Sequence, residues 1–167
     1  MSPVFVGVDL GGTSIKAAVA DEWLSILAHD SVPTDSHRGP QPVLERVGEL
    51  VERLVNQSAG SGTPIKGLGM GVPGLVDIDR GVTRFLPNLA TQWRGVPVAS
   101  ILSERMHCPV RLLNDVRTAT LGELNFGHGG ERPSVTMVFF SLGTGIGGGL
   151  VIEGRLRLGP LGAAGEI

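Results

Sequence analysis

VDLGGTSIKAAV, residues 8–19, is the stretch on which the fold turns. It closes an apolar run that starts at Val4, breaks at Gly11-Gly12, and resumes as Ile15–Ala20. Apolar run, glycine corner, apolar run: this reads as two strands and the tight turn between them. The same design returns at residues 140–151, FSLGTGIGGGLV. Again an apolar strand meets a small polar residue, Leu-Gly, a Gly/Thr turn and a second apolar strand. From Val8 to Phe140 is 132 residues, too long for a solenoid period. The echo suits a duplicated unit whose halves each open with a glycine-cornered hairpin.

Such corners are suited to phosphate. Glycine lets the backbone approach an anion with no Cβ in the way, and successive N–H groups can converge on it. Thr13 and Thr144 add hydroxyl donors. Two corners facing each other across a cleft could hold a nucleoside triphosphate, or each could be no more than a tight turn. Gly143, Gly145 and Gly148 also fit G-x-G-x-x-G, with Glu166 downstream. That dinucleotide fingerprint should open a helix, whereas here the chain continues as Gly149-Leu150-Val151-Ile152, a strand. No G-x-x-x-x-G-K-[ST] loop occurs.

Between the corners, Trp23–Val32 reads as a third strand and Thr34–Pro42 as a loop with two prolines. Residues 42–57 carry a 3.6-period stripe of Val and Leu opposite charged residues, and a proline opens this helix. Ile65–Val72 is a strand whose glycines allow close backbone approach. Pro73-Gly74 is a turn. Val98–Met106 is a second amphipathic helix, and Val110–Leu113 a strand. A helix from Arg117 to Asn125 follows, capped by Asn114 or Asp115. Residues 127–133 read as a linker, and Val135–Leu142 as the most apolar strand.

The bulk numbers narrow the partners. The 167 residues are 41% hydrophobic and 18% charged, with 26 glycines and no tyrosine. A core of Val, Leu, Ile and Ala follows, as in sheets buried on both faces. Net charge is −2 with no run of Lys or Arg, which argues against nucleic acid. Neither a signal peptide nor a membrane span is expected. The single cysteine, Cys108, excludes an internal disulfide and suits a reducing cytoplasm. There is no CxxC and no HExxH, so no zinc site is expected within this chain. Trp93 could wall a ligand site or simply pack; His128, among glycines, reads as an exposed linker residue.

Asp115 is the sharpest chemical signal. Carboxylates rarely stand at the mouth of a buried strand without a partner or a task. Ligands of open α/β sheets bind at the carboxyl ends of parallel strands. Asn114 beside it offers both donor and acceptor, which suits a sugar hydroxyl. Asp115 could take the proton of that hydroxyl as general base, or could merely cap the following helix.

VGVDLGGTSIKAAV, GVPGLVD at residues 71–77, LLNDVRTAT, SLGTGIGGGLV and the final GAAGEI together resemble the ROK family (repressors, uncharacterised reading frames and sugar kinases). The resemblance implies an α/β, actin-like ATPase fold of the ribonuclease H-like kind. It places an N-terminal lobe at residues 1–126 and the start of a second lobe at 134–167. It implies ATP- and Mg²⁺-dependent phosphorylation of a hexose or amino-hexose. Asp9 would help hold Mg²⁺. Gly11, Gly12 and Thr13, with Lys16 nearby, would form the first phosphate loop, and Gly143, Thr144 and Gly145 the second. Gly74, Asn88, Asn114, Asp115 and Glu166 would line the sugar site, with Asp115 as catalytic base. Lys commonly follows GGT in the family; here Ser14 stands there.

The family's structural zinc cluster follows its GEI, and the sequence stops at Ile167, about half the length of a two-lobed kinase. Two other products are expected as alternatives: a sugar-responsive regulator, for which no helix-turn-helix precedes the first strand, and a non-catalytic sugar-binding lobe. An apolar surface awaiting a second lobe would also favour a homodimer.

Overall fold

The computed structural model describes residues 2–130, 134–142, 145–159, 162, 164 and 165. Its central sheet has five strands in the order β3-β2-β1-β4-β7: Ile26–Pro33, Ser14–Ala20, Val4–Leu10, Ile65–Val72 and Val110–Asn114. The first three strands form an antiparallel meander, while β4 and β7 run parallel to β1. Helix α1 (Pro40–Ser58) connects β3 to β4, α2 (Val98–Met106) precedes β7, and α3 (Asp115–Phe126) follows it. A small hairpin, β5 (Leu75–Asp77) and β6 (Val82–Phe85), hangs from the end of β4. A separate antiparallel sheet, β10-β9-β8, comprises Arg155–Arg157, Ile146–Ile152 and Met137–Leu142.

One face of the central sheet builds the core. Val6, Val8, Leu10, Ile15, Leu68 and Leu112 are buried there, and α1 turns Val43, Leu44, Val47, Leu50, Val51 and Leu54 into the same core. Burying a Val or Leu side chain contributes about 1.5–3 kcal/mol. Leu10 and Ile15, fully buried and paired across β1 and β2, therefore anchor the glycine corner from beneath. Helices α1 and α2 are joined through Arg105, whose guanidinium donates to both Glu52 carboxylate oxygens and to the Glu45 carbonyl.

The expectation of a sheet buried on both faces is not met. On the second face Gly7 and Gly69 pair across β1 and β4, and a Cβ at either would meet nothing within 4 Å. A cavity of about 1060 Å³ lies over this bare floor. Only at Gly71 does another element come close: a Cβ there would lie 3.4 Å from Asp115 Cα. The close approach expected of the β4 glycines is thus confined to the carboxyl end of the strand.

Other boundaries moved for local reasons. Strand β3 starts at Ile26, not Trp23, because the Asp21 carboxylate accepts the N–H groups of Trp23 and Ser25 and closes a turn. Helix α1 starts at Pro40, two residues before the expected proline. The β5–β6 hairpin was not anticipated. Gly127 and Gly129 donate back to the Glu123 carbonyl, so the start of the expected linker folds onto the end of α3. The rest of that stretch, 131–133, lies outside the described residues. No described helix is long and apolar enough to cross a membrane.

Candidate active site

The glycine corner between β1 and β2 is braced from a third strand. Gly11 N–H donates to Ser14 O at 2.9 Å and closes the turn. Thr34, just past β3 and fully buried, donates its N–H to Thr13 O at 2.9 Å and its Oγ1–H to Gly11 O at 2.7 Å. Two corner carbonyls are thereby tied back into the fold, where they cannot repel an anion. The Gly12 and Thr13 amides have no partner among the described residues and remain available. A Cβ on Gly12 would stand 2.8 Å from Asn88 O, so glycine is what lets the corner abut the Leu86–Trp93 segment. Leu86, Leu89 and Trp93 are buried and pin that segment, leaving Asn88 exposed beside the corner. Trp93 therefore packs; its Nε1–H has no partner among the described residues.

The second half of the site lies across the sheet. Asp9 pairs with Lys16 on β2 and with Gly71 on β4, and Gly71 pairs with Leu113 on β7. Lys16 Nζ stands 4.0 Å from Asp9 Oδ2, with both side chains more than half exposed, which is a weak pair. One residue beyond Leu113, Asn114 is buried. Its Oδ1 accepts the Arg117 N–H at 3.2 Å, and its Nδ2 donates to Gly74 O at 3.2 Å. The open question of the cap is settled: Asn114 is the N-cap, and α3 begins at Asp115 rather than Arg117. Among the described residues, Asn114 keeps one N–H and one lone pair for other use.

Asp115 is half-buried at the head of α3, and its Oδ1 accepts the Val116 N–H at 2.8 Å. It shares a cleft of about 360 Å³ with Asp9, Gly71, Thr118 and Ser141, the last from β8. The larger cavity over the bare sheet shares only Asp9 and Thr118 with this cleft. Asp9 and Asp115 both line the smaller one. Mg²⁺ is commonly held by one or two carboxylates together with phosphates and water, and the exposed Asp9 carboxylate fits that pattern. Among the described residues no group of three or more His, Cys, Asp or Glu gathers as a metal site.

Gly74, at φ +133°, could not carry a Cβ, which would run into Phe85 O. Its carbonyl holds Asn114, so it joins the β5–β6 hairpin to the head of α3. A Cβ on Gly145 would meet nothing within 4 Å among the described residues. Gly143, Thr144 and Glu166 lie outside the described residues. The glycines farther along β9 have a use that was not read from sequence. Cβ atoms at Gly147 and Gly149 would collide with Val116 and Thr120 of α3, so these glycines seat the second sheet directly on the helix headed by Asp115.

Sequence reasoning also missed Thr34 and Arg117. The first stood in a proline-flanked loop and bonds 23 residues away. The second is an arginine only 2% exposed; an arginine in a small-residue helix was the available signal. Cys108 is buried as expected, and burial pushes its thiol pKa up. His128 is exposed and pairs with Glu123 at 3.0 Å.

A glycine-cornered hairpin in the middle of a mixed sheet, a second glycine-rich hairpin seated on α3, and two carboxylates lining one cleft describe an α/β protein of the actin-like ATPase fold. The ROK family matches residues 5–167, and the chain belongs to it. It is 37% identical over 161 residues to a glucokinase of Streptomyces coelicolor, covering 96% of this chain and 47% of that protein. It is 28% identical to a xylose repressor of Caldicellulosiruptor bescii, over 97% of this chain and 40% of the repressor. A crystal structure of a ROK family glucokinase from Streptomyces griseus, in complex with glucose and AMPPNP, superposes with a TM-score of 0.81. Its identity is 33%, and the match covers 98% of this chain and 49% of that one. The chain spans about half the length of the curated relatives it matches.

Proposed function

We propose that these residues form the first lobe, and the opening of the second, of an ATP-dependent sugar kinase acting on a hexose or N-acyl-hexosamine. The cleft that gathers Asp9, Asp115 and Ser141 carries this reading. The Gly11–Thr13 corner offers two free amides and the Thr13 hydroxyl to a phosphate, and Gly143–Gly145 would offer a second set. Asn114, Asn88 and Glu166 would orient the sugar, with Gly74 against its ring. A hydroxyl of the sugar then attacks the γ-phosphorus of ATP while Asp115 accepts its proton, and ADP leaves. Phosphoryl transfer demands mainly positioning and charge stabilisation. Asp9 would hold the Mg²⁺ that neutralises the phosphate oxygens, and Lys16 would add positive charge facing the phosphates.

The test is ADP release from Mg-ATP against glucose, fructose, mannose and their N-acetylated amino forms, with Asp115→Asn as control. Sugar-dependent release that the variant loses, with sugar binding retained, supports the assignment. A variant with near-normal turnover refutes it. The likeness to a xylose repressor favours a second reading, a sugar-responsive regulator. Sugar binding with no ADP release even when both lobes are complete would select it, whereas the same result with these 167 residues alone marks them as half of a kinase.

A further inference from the structure

Helix α3 serves both halves of the cleft. Asp115 begins it, and its flank receives β9 through Val116 and Thr120. Between those two contacts stands Arg117, 2% exposed. Its Nε–H and Nη2–H both donate to the carbonyl of Ala164, at 3.2 and 2.9 Å. Its backbone N–H donates to the Asn114 cap. The Ala164 N–H donates to Leu158 O at 2.8 Å. Gly165, at φ +91°, presses so closely on the Gly148 carbonyl that a Cβ has no place there. The Ala164–Gly165 turn is thus gripped by α3, by β9 and by the chain just past β10.

Burying a guanidinium is costly unless its donors are satisfied. If filling space were the only requirement, Leu or Met would meet it at this helical position without that cost. Two N–H groups of one planar fork on a single carbonyl fix both direction and distance, which a flexible apolar side chain does not. The carbonyl that is fixed lies one residue before Gly165, on the approach to the glutamate assigned above to the sugar.

We propose that Arg117 is a positioning residue that locks the Ala164–Gly165 turn to the head of α3, so that the sugar-side turn and the proton acceptor Asp115 hold a constant separation. The consequence for sugar rests on the kinase reading; the locking does not.

Two measurements on the wild type, Arg117→Met and Arg117→Lys test this. The first is amide exchange by NMR. Without the fork, the Gly162 and Ala164 amides should exchange roughly ten- to a hundredfold faster, with β4 amides such as Leu68 unchanged and the lysine variant intermediate. The second is steady-state kinetics. The KM for sugar should rise roughly tenfold in Arg117→Met while the KM for ATP stays put, because the phosphate corner is braced by Thr34 and not by Arg117. Wild-type exchange at Gly162 and Ala164 in the folded variants would overturn the proposal. So would equal acceleration in β4, which marks a general structural role, or equal shifts in both KM values. If Arg117→Met does not fold, the lysine variant decides alone. A wild type without sugar-dependent turnover, even with both lobes complete, sinks the kinase reading, and the exchange rates still judge the lock.

Discussion

Thr34→Val replaces one hydroxyl by a methyl group and leaves the backbone bond from residue 34 to Thr13 O in place. What is lost is the 2.7 Å bond to Gly11 O. A buried acceptor stripped of its donor costs about 1–3 kcal/mol. Gly11 is only half-buried, so water can reach part of the vacated carbonyl, and the lower half of the range applies: about 1–2 kcal/mol. In a chain of this size each kcal/mol moves the midpoint of thermal unfolding by about 2–4 °C. The variant should therefore melt about 2–8 °C lower by circular dichroism. Thr34→Ser is the matched control. It keeps the hydroxyl and removes a methyl group, for about 0.5–1.5 kcal/mol. The valine variant should be the less stable of the two, and it alone should weaken nucleotide binding, because only there is the Gly11 carbonyl free to turn toward the phosphates. A valine variant that melts with the wild type, or a serine variant that melts lower still, would refute the bracing of the corner.

Gly147→Ala places a methyl group 2.6 Å from Val116 Cγ2, and a helical valine has one preferred rotamer and cannot swing away. The cost should be about 1–3 kcal/mol in urea unfolding, and clearly less in a Val116→Ala background; equal costs in both would remove the steric argument. On the proposed kinase reading, Asp115→Asn should eliminate turnover in the complete two-lobed enzyme while leaving sugar affinity within a few-fold, read by calorimetry beside the ADP assay. The Arg46 hydrogen bond and charge hold the Asp35 carboxyl below the usual aspartate value of 3.8, as Arg53 does for Asp30. A carboxylate depressed in the folded state contributes stability above its unfolded value, and that contribution fades as pH falls through the lower folded one. Carbon-detected titration should therefore find both midpoints below 3.8, and Arg46→Met should return only Asp35 toward it; an unmoved midpoint would contradict the pairing.

Much of this molecule can be read from its letters, and the unread part has a common cause. The β1–β2 corner, α1 and the delivery of Asp115 by β7 were legible because each is a local pattern: two apolar runs about a glycine turn, a 3.6-residue stripe, an apolar run ending in a carboxylate. Thr34 was not, because its partner lies 23 residues away and nothing near it announces the bond. The β5–β6 hairpin has strands of three and four residues, too short to display a period. The glycines of β9 show the limit most clearly. A glycine that admits an anion and one that admits a helix are the same letter, and only the position of Val116 and Thr120 tells Gly147 and Gly149 apart from a phosphate loop. The bare floor at Gly7 and Gly69 was missed for a related reason, since apolar β-branched strands imply burial without saying on how many sides.

The tryptophans give the chain a built-in optical reporter. There are two, and no tyrosine to blur their emission. Trp23 is 76% exposed at a turn tip and should be quenched by iodide, whereas Trp93, 1% exposed, should not. Trp93 ends the segment that presses Asn88 against the glycine corner, so a ligand that shifts this wall should change the shielded, blue component of the fluorescence and leave the quenchable one alone. Occupancy of the site could then be followed without a label, a coupled enzyme or turnover.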